Sequence, residues 1–288
     1  MTEMKEYTYK WKGGLEEPIL KITKSSLGTF VWCPKSYEFG RIDGLPIDQS
    51  EAMMKGSIIH NSYETFFDEF NIAKAENLTH SELADYCLSL FPIDDYTDQY
   101  ETMAIFHANR FMETEEDDKP HFLPAGNEVD LHAEVTLDRA DFPLVYLEED
   151  YSLHLQGIVD RIFYDRKANG YVFMELKTGL WKDWRKSSMR KEMAFYKYVF
   201  DSCSDETLRE SGLDPNIPVT HWGWFYPASN YCYTESVVKT STTAMMKSIS
   251  KLIVAYQDGL FPTKFFAKTC ASCSYYGICD AAQTDGWI

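Results

Sequence analysis

The sequence predicts an α/β protein in which helices cover a β-sheet. Apolar residues recur with a period of about 3.6 in several segments, which predicts amphipathic helices; these segments are 22–40, 56–72, 187–200 and 241–258. Short apolar runs bounded by turn residues predict strands; these lie near 129–137, 151–164, 170–177, 221–226 and 231–237. With 288 residues, 44% of them hydrophobic, the chain can bury a substantial core.

The elements follow one another in a simple order. Two helical segments come first, and residues 73–127 are expected to form a mostly helical, acidic insertion with a charged loop at 113–120. The predicted strands then alternate with the helix at 187–200, and a polar loop at 201–218 precedes the last hairpin. The helix at 241–258 is expected to close the core.

The most informative stretch is the predicted hairpin that contains Asp160 and Glu175. Asp160 ends one apolar run, Glu175 lies inside the next, and the turn residues 165–170 separate them, so a hairpin would place the two carboxylates side by side. Two adjacent carboxylates are suited to Mg²⁺ or Mn²⁺. Lys177 lies two residues after Glu175, on the same face of a strand. These groups are suited to phosphodiester cleavage, in which a metal polarises phosphate and a lysine offsets charge.

This pattern resembles the PD-(D/E)XK superfamily in its RecB-like branch. Asp160 takes the place of the first acidic residue, Glu175-Leu-Lys177 takes the place of the E-x-K element, and the Thr-Gly pair that is usual in that branch follows. Gly56-Ser-Ile-Ile-His60 resembles the G-x-x-x-H element, so His60 becomes a further metal ligand by resemblance. The resemblance implies a three-layer α/β/α restriction-endonuclease-like core with a mixed sheet.

Four cysteines form a second motif, with Cys33 far upstream and Cys270-x2-Cys273-x5-Cys279 near the C-terminus. Four thiolates can bind zinc or an iron–sulfur cluster, and their softness alone does not choose between them. The spacing resembles the iron–sulfur RecB-like nucleases, which include the AddB nuclease domain and the CRISPR-associated four-cysteine exonucleases. That resemblance implies a 4Fe-4S cluster that staples the tail to the N-terminal helix; a zinc staple is the alternative.

The other cysteines have no ligand spacing and are expected to be reduced thiols; they are Cys87, Cys203 and Cys232. Seven cysteines and a polar N-terminus favour a reducing, cytoplasmic setting over a disulfide framework. No apolar run approaches the length of a membrane span.

Two acidic residues are harder to interpret. Glu192-x3-Tyr196 occupies the place of the family's Q-x-x-x-Y element, so Tyr196 is expected near the active site. Glu192 cannot donate the hydrogen bonds of an amide; it could contact a metal-bound water, contact a nearby Lys or Arg, or be an exposed helix charge. Glu134 lies on the strand before the hairpin, and a site role and a solvated charge are both open.

The formal net charge of −17 does not favour nucleic acid, because phosphate binding relies on Lys and Arg. Residues 161–197, however, carry ten basic residues against four acidic ones, interleaved with Trp181, Trp184, Phe195 and Tyr196. Basic groups with aromatic residues are typical of single-stranded nucleic-acid binding. The alternative is an ordinary surface helix beside a Trp-rich loop that packs on the core.

These observations predict four parts: N-terminal helices at 1–72, the insertion at 73–127, a nuclease core at 128–260 and a cysteine tail at 261–288. By resemblance the protein is expected to be a Mg²⁺- or Mn²⁺-dependent DNA exonuclease that prefers single-stranded ends and 5′-to-3′ polarity. It would act in phage or archaeal replication and recombination, or trim CRISPR prespacers beside an integrase. The alternative function is a non-catalytic DNA-end-binding module that keeps the fold and the cluster.

Overall fold

The computed structural model describes residues 20–47, 50–137, 151–266 and 270–280. The chain divides into two compact units. Unit 1 contains Met1–Gln49, His132–Gly157 and Thr240–Ile288, and unit 2 contains Ser50–Leu131 and Ile158–Lys239. The predicted mixed α/β class is confirmed by a six-stranded mixed sheet with helices.

The strands of the sheet are β1 (Leu20–Thr23), β2 (Gly126–Leu137), β3 (Tyr151–Asp165), β4 (Gly170–Leu176), β5 (Val219–Tyr226) and β6 (Tyr231–Ser236). Their order is β1-β3-β4-β5-β6, and β2 also pairs with β3. Strand β1 runs parallel to β3, and β4 runs parallel to β5. The two hairpins, β3–β4 and β5–β6, are antiparallel. Strand β6 is therefore the last strand along this path.

The β3–β4 hairpin has the form that the sequence predicts. Its turn is closed by a hydrogen bond from the Ala168 backbone N–H to Asp165 Oδ1 at 3.0 Å. Asn169 has a φ of 44°, a left-handed conformation that Asn tolerates better than most residues. Gly170 lies so close to Thr220 that an added Cβ would come within 2.3 Å of its side chain. The Asp165 hydrogen bond and the left-handed Asn169 therefore define the hairpin turn, and the close approach of Thr220 favours glycine at position 170.

The helices are α1 (Lys24–Trp32), α2 (Pro34–Tyr37), α3 (Glu51–Glu69), α4 (Ile72–Ala75), α5 (His80–Ser89), α6 (Thr97–Glu113), α7 (Lys186–Ser202), α8 (Asp205–Glu210) and α9 (Lys239–Asp258). Residues 73–127, the predicted insertion, contain most of α4 and the helices α5 and α6. The charged loop at 113–120 contains a 3-10 turn at Glu116–His121. The polar loop at 201–218 contains α8, which Ser204 caps by accepting from the Thr207 N–H.

The single helix predicted at 22–40 is wrong. This segment begins with β1, and helix α1 then ends at Trp32; the next residue, Cys33, has an extended backbone with a φ of −156°. Pro34 starts α2, and proline restricts the preceding residue to extended conformations. A π-helical turn at Glu38–Ile42 follows. The break places Cys33 between two helices rather than inside one.

Unit 2 has hydrophobic packing on both faces of the β4 strand. On one face, Met174 and Leu176 contact an aromatic cluster supplied by α3, α5 and α6, which includes Phe66, Phe70 and Phe111. On the other face, the Phe173 ring packs edge-on against Phe200 of α7, with ring centroids 5.6 Å apart. Alternate β4 side chains therefore enter different layers, as the two-residue period of a strand requires.

The core of unit 1 is also aromatic. Tyr37 stacks on Phe261 with centroids 6.0 Å apart, and its hydroxyl lies 3.0 Å from the Tyr256 hydroxyl of α9. Phe30 of α1 packs edge-on against both Tyr37 and Phe261. These contacts join α1 and α2 to the chain that follows α9.

Candidate metal centre

The two hairpin carboxylates are both buried. Asp160 is 6% exposed and Glu175 is 3% exposed. Asp160 Oδ2 accepts a hydrogen bond of 2.6 Å from the backbone N–H of Leu176, which fixes it against β4. Because an isolated buried carboxylate is costly, such groups are paired, hydrogen-bonded or bound to metals.

His60 of α3 comes to the same place. Its Nδ1 lies 3.8 Å from Asp160 Oδ2. Burial lowers the pKa of His60, although the nearby Glu175 and Glu128 carboxylates oppose this effect. A lowered pKa favours the neutral imidazole, which is the form that binds metal ions. The helix that carries His60 begins at Glu51 rather than at Gly56, because Ser50 caps it by accepting from the Met53 N–H.

Glu128 completes a group that sequence analysis missed. Among the described residues, His60, Glu128 and Asp160 form the one set of potential ligands whose donor atoms all lie within 4.8 Å of one another. Glu128 lies near the start of β2 and has a φ of 49°. Glu134, the acidic residue considered on this strand, is exposed. The sequence shows an acidic residue at the start of this strand, which could have indicated a ligand. Its left-handed backbone conformation is unusual for glutamate and could not be predicted.

Arg161 holds Glu128 in position. Its Nη1 donates to Glu128 Oε1 at 2.9 Å and also to the Asp160 backbone carbonyl. The guanidinium lies over the rings of Tyr63 and Phe67, 4.7 and 5.5 Å from their centroids. Arg161 is only 1% exposed, so its positive charge offsets the negative charge of the buried carboxylates.

Lys177 lies between two carboxylates. Its Nζ is 2.7 Å from Glu175 Oε1 and 3.0 Å from Glu192 Oε2. Burial alone would lower the pKa of Lys177, but Glu175, Glu192 and the hydrogen bond to Glu175 together raise it. Glu192 therefore contacts a nearby lysine, one of the three roles that its position on α7 left open.

Tyr196 lies behind the carboxylates rather than on the surface. It is fully buried. Burial, followed by the negative charge of Glu175 and Asp160, raises the pKa of Tyr196 well above its usual value. The phenol therefore keeps its proton beside the two carboxylates.

The four predicted cluster cysteines line one small cavity in unit 1. Cys33 is buried, and Cys270, Cys273 and Cys279 are half-buried. Burial raises the pKa of the Cys273 thiol, although hydrogen bonds from Tyr275 and Ser36 partly oppose this. In the part of the chain that the structure describes, no three of these sulfurs all lie within 4.8 Å of one another.

The predicted basic segment is largely neutralised by acids from elsewhere in unit 2 and within α7. Six of its ten cations lie in ion pairs: Arg161, Arg166, Lys167, Lys177, Arg190 and Lys197. Most of its aromatic residues already pack within the protein, because Phe195 and Tyr196 are buried and Trp181 stacks on Tyr231. Trp184, at 74% exposure, is free to contact a partner.

The family model for the PD-(D/E)XK nuclease superfamily matches residues 21–280. No curated protein matches the chain. Among solved structures, the protein SSO0001 shares 13% identity over 93% of this chain and 89% of its own, with a TM-score of 0.38. A candidate exonuclease from Eubacterium rectale shares 10% identity over the same fractions, with a TM-score of 0.40. Within the described residues, no helix has the length and hydropathy of a membrane span.

Proposed function

We propose that the chain, which belongs to the PD-(D/E)XK nuclease superfamily, is a divalent-metal-dependent DNA exonuclease. The observation that carries this proposal is the convergence of Asp160, Glu175 and Lys177 with His60 in one buried centre. By its resemblance to the RecB-like branch, we propose a preference for single-stranded ends and for 5′-to-3′ cleavage. The resemblance further suggests replication and recombination, or CRISPR prespacer trimming with an integrase as partner.

The donor set fits a hard divalent cation. His60, Glu128 and Asp160 offer one nitrogen and two carboxylates within mutual reach, and Glu175 is the neighbouring carboxylate. These residues would hold Mg²⁺ or Mn²⁺, which bind oxygen ligands and tolerate an imidazole. When bound, such an ion polarises phosphate and lowers the pKa of water.

The chain's own groups define the rest of the chemistry. Lys177 brings a positive charge to the edge of the centre, where it can offset charge that develops on a phosphate. Glu175 and Glu192 fix the ammonium from two sides. Tyr196 is fully buried and is influenced by the charge of Glu175, so we assign it a positioning role.

We also propose that the four cysteines hold a 4Fe-4S cluster. The proposal rests on the resemblance of their spacing to the iron–sulfur RecB-like nucleases, and it is supported by the position of all four side chains around one cavity. Thiolates can also bind zinc, and zinc is the alternative that metal analysis would separate.

The central experiment measures cleavage of 5′- and 3′-labelled single-stranded DNA in Mg²⁺ and Mn²⁺. Lys177→Met should reduce the rate by a factor of about 10² to 10³, since it removes a charge that acts at the scissile phosphate. Asp160→Asn should have an effect at least as large. Both variants should still bind DNA in Ca²⁺.

Lys197→Met is the matched control, because Lys197 pairs with Asp201 on the outer part of α7. We expect its cleavage rate to equal that of the wild type. A wild-type rate in Lys177→Met or Asp160→Asn would overturn the assignment. DNA binding without cleavage by the wild type would instead favour a non-catalytic end-binding module.

A further inference from the structure

Unit 2 contains a cavity of about 450 Å³ that borders the metal centre at Glu175 and Arg161 but extends well beyond it. It lies between α6 and the sheet, and its apolar walls include Phe106, Phe163, Val172, Met174 and Phe225. On β4, Val172, Met174 and Leu176 alternate with Phe173 and Glu175. Because alternate side chains point to opposite faces, these three apolar side chains lie on the face of β4 away from Lys177 and Tyr196. Its volume is typical of sites for small molecules.

Arg110 of α6 gives the cavity a specific polar feature. Its guanidinium lies between two aromatic rings, 4.5 Å from the Phe122 centroid and 4.3 Å from the Phe163 centroid. One Nη2 hydrogen bond of 3.0 Å goes to the Phe122 carbonyl. Among the described residues, no carboxylate lies within ion-pair distance of Arg110, whereas Arg161 in the same wall is paired with Glu128.

The partial burial of Arg110 gives weight to the absence of a carboxylate partner among the described residues. Desolvation lowers the pKa of its guanidinium to about 10, so it is still charged at neutral pH. Removing a charge from water is costly unless the charge is paired. The two rings and one carbonyl only partly compensate the charge, and their contacts hold its orientation. An anion that entered the cavity would therefore meet a fixed donor group.

The mouth of the cavity is bordered by two surface ion pairs. Arg166 Nε lies 2.7 Å from Asp118 Oδ1, and Lys167 Nζ lies 2.7 Å from Glu115 Oε1. These ion pairs join the β3–β4 turn to the 3-10 turn at Glu116–His121 and to the residue before it. These four side chains neutralise one another, and the lining also includes the acidic Glu113 and Asp165. A preference for an anion must therefore come from Arg110 in the interior.

From this geometry we infer that the cavity binds a small molecule with a flat apolar body and one anionic group. The apolar body would contact Phe106, Phe163 and Phe225, and the anionic group would pair with Arg110. Arginine binds carboxylates and phosphates bidentately, so the two sources of this chemistry are an aromatic carboxylate and a nucleoside monophosphate. The latter would also be a product of the proposed reaction, and a binding test of the cavity does not require cleavage.

The test uses the dye 1-anilinonaphthalene-8-sulfonate, which has a flat aromatic body and one sulfonate. We expect saturable binding to the native protein with a rise in fluorescence. Arg110→Met keeps an apolar side chain between the rings and should raise the dissociation constant about 10- to 100-fold, the range for a hydrogen bond to a charged group. Thr234→Trp, at the exposed edge of the cavity, should block binding by filling the space.

Arg209→Met is the control, because Arg209 is an exposed cation on α8 that does not line the cavity. Near-ultraviolet circular dichroism and melting temperature would identify variants that bind dye because they are misfolded. Displacement of the dye by deoxyadenosine monophosphate or by 2-naphthoate would identify which source fits. Equal dye affinity in Arg110→Met and the wild type, or displacement by neither competitor, would overturn the inference.

Discussion

At the residue scale, the proposed metal ligand Glu128 is positioned by its own backbone conformation and by Arg161. Its φ of 49° turns the side chain towards Asp160, and Arg161 fixes its carboxylate at 2.9 Å. Partners of this kind orient a metal ligand. Because β-strand periodicity does not encode a left-handed residue, the sequence pointed to the strand but not to this position.

Glu128→Ala and Glu134→Ala form a matched pair on β2. Removing Glu128 should weaken Mn²⁺ binding at least about 10- to 100-fold. Loss of a residue that only hydrogen-bonds to a metal ligand already has an effect of this size, and loss of a ligand should cost no less. Removing the exposed Glu134 should change Mn²⁺ affinity by less than about twofold. Isothermal titration of Mn²⁺ into each variant would measure the difference. Equal affinities in the two variants would remove Glu128 from the proposed ligand set.

Glu192 is the other residue whose role the structure narrows. A carboxylate replaces the amide of the resembled element, and it accepts a hydrogen bond from Lys177 at 3.0 Å. Glu175 already contacts the same ammonium. Two acids on one lysine reduce the positive charge that phosphate meets, but they also immobilise the ammonium.

At the element scale, the edge strand β6 is attached to α7 by one carboxylate. Glu235 accepts from Arg190 of α7 through both oxygens, and also from Trp222 and Tyr233. Burial would raise the pKa of Glu235, but these four hydrogen bonds outweigh it and lower the pKa to about 2. The interaction thus helps to hold α7, which carries Glu192 and Tyr196, on the sheet.

Glu235→Gln should therefore destabilise the protein by about 1 to 3 kcal/mol at pH 7, since it weakens hydrogen bonds to a charged group. A depressed folded-state pKa gives stability that is present above the unfolded pKa of about 4.3 and is lost as the pH falls towards 2. Urea unfolding measures the free energy of unfolding at pH 7 and at pH 3. Between these pH values, this free energy should fall less in the variant than in the wild type. Asp205→Asn, in an exposed pair on α8, should leave this pH dependence unchanged.

The elements differ in how well the sequence predicts them. The β3–β4 hairpin, α7 and the β5–β6 hairpin follow the prediction within a few residues, because their periodicity and turn chemistry act locally. Strand β1 was missed because it has four residues and forms through parallel pairing with β3. Such pairing depends on chain more than 130 residues away, which local patterns do not encode.

At the scale of the whole molecule, the charge balance of a short segment of sequence does not show which of its charges are paired in the fold. Residues 161–197 have a strongly basic composition, but Arg166, Lys167 and Arg190 pair with acids up to 52 residues away. Ion pairing thus withdraws these cations from contact with phosphate. If the protein cleaves DNA as proposed, its DNA affinity should come from the metal centre and from the cations of this segment that form no ion pair with a described residue: Lys182, Arg185, Lys186 and Lys191.

The cysteine motif, in contrast, was visible from sequence because its spacing alone carries the signal. The structure places Cys33 at the break between α1 and α2 and brings Cys270, Cys273 and Cys279 to the same cavity. Ligands so far apart in the chain close a loop of more than 230 residues. Since closure entropy grows with loop length, a cluster here would contribute to the folding of unit 1.

The last prediction concerns this cluster. Anaerobically purified protein should be brown and contain about four iron atoms per chain. Cys270→Ser should lose the iron and colour and lower the melting temperature, because metal binding contributes directly to folding free energy. Cys203→Ser should keep both, as Cys203 lies outside the cavity. Asp160→Asn should also stay brown, which separates the cluster from the cleavage centre. A colourless wild type with one zinc per chain would overturn the iron–sulfur assignment while leaving the nuclease proposal intact.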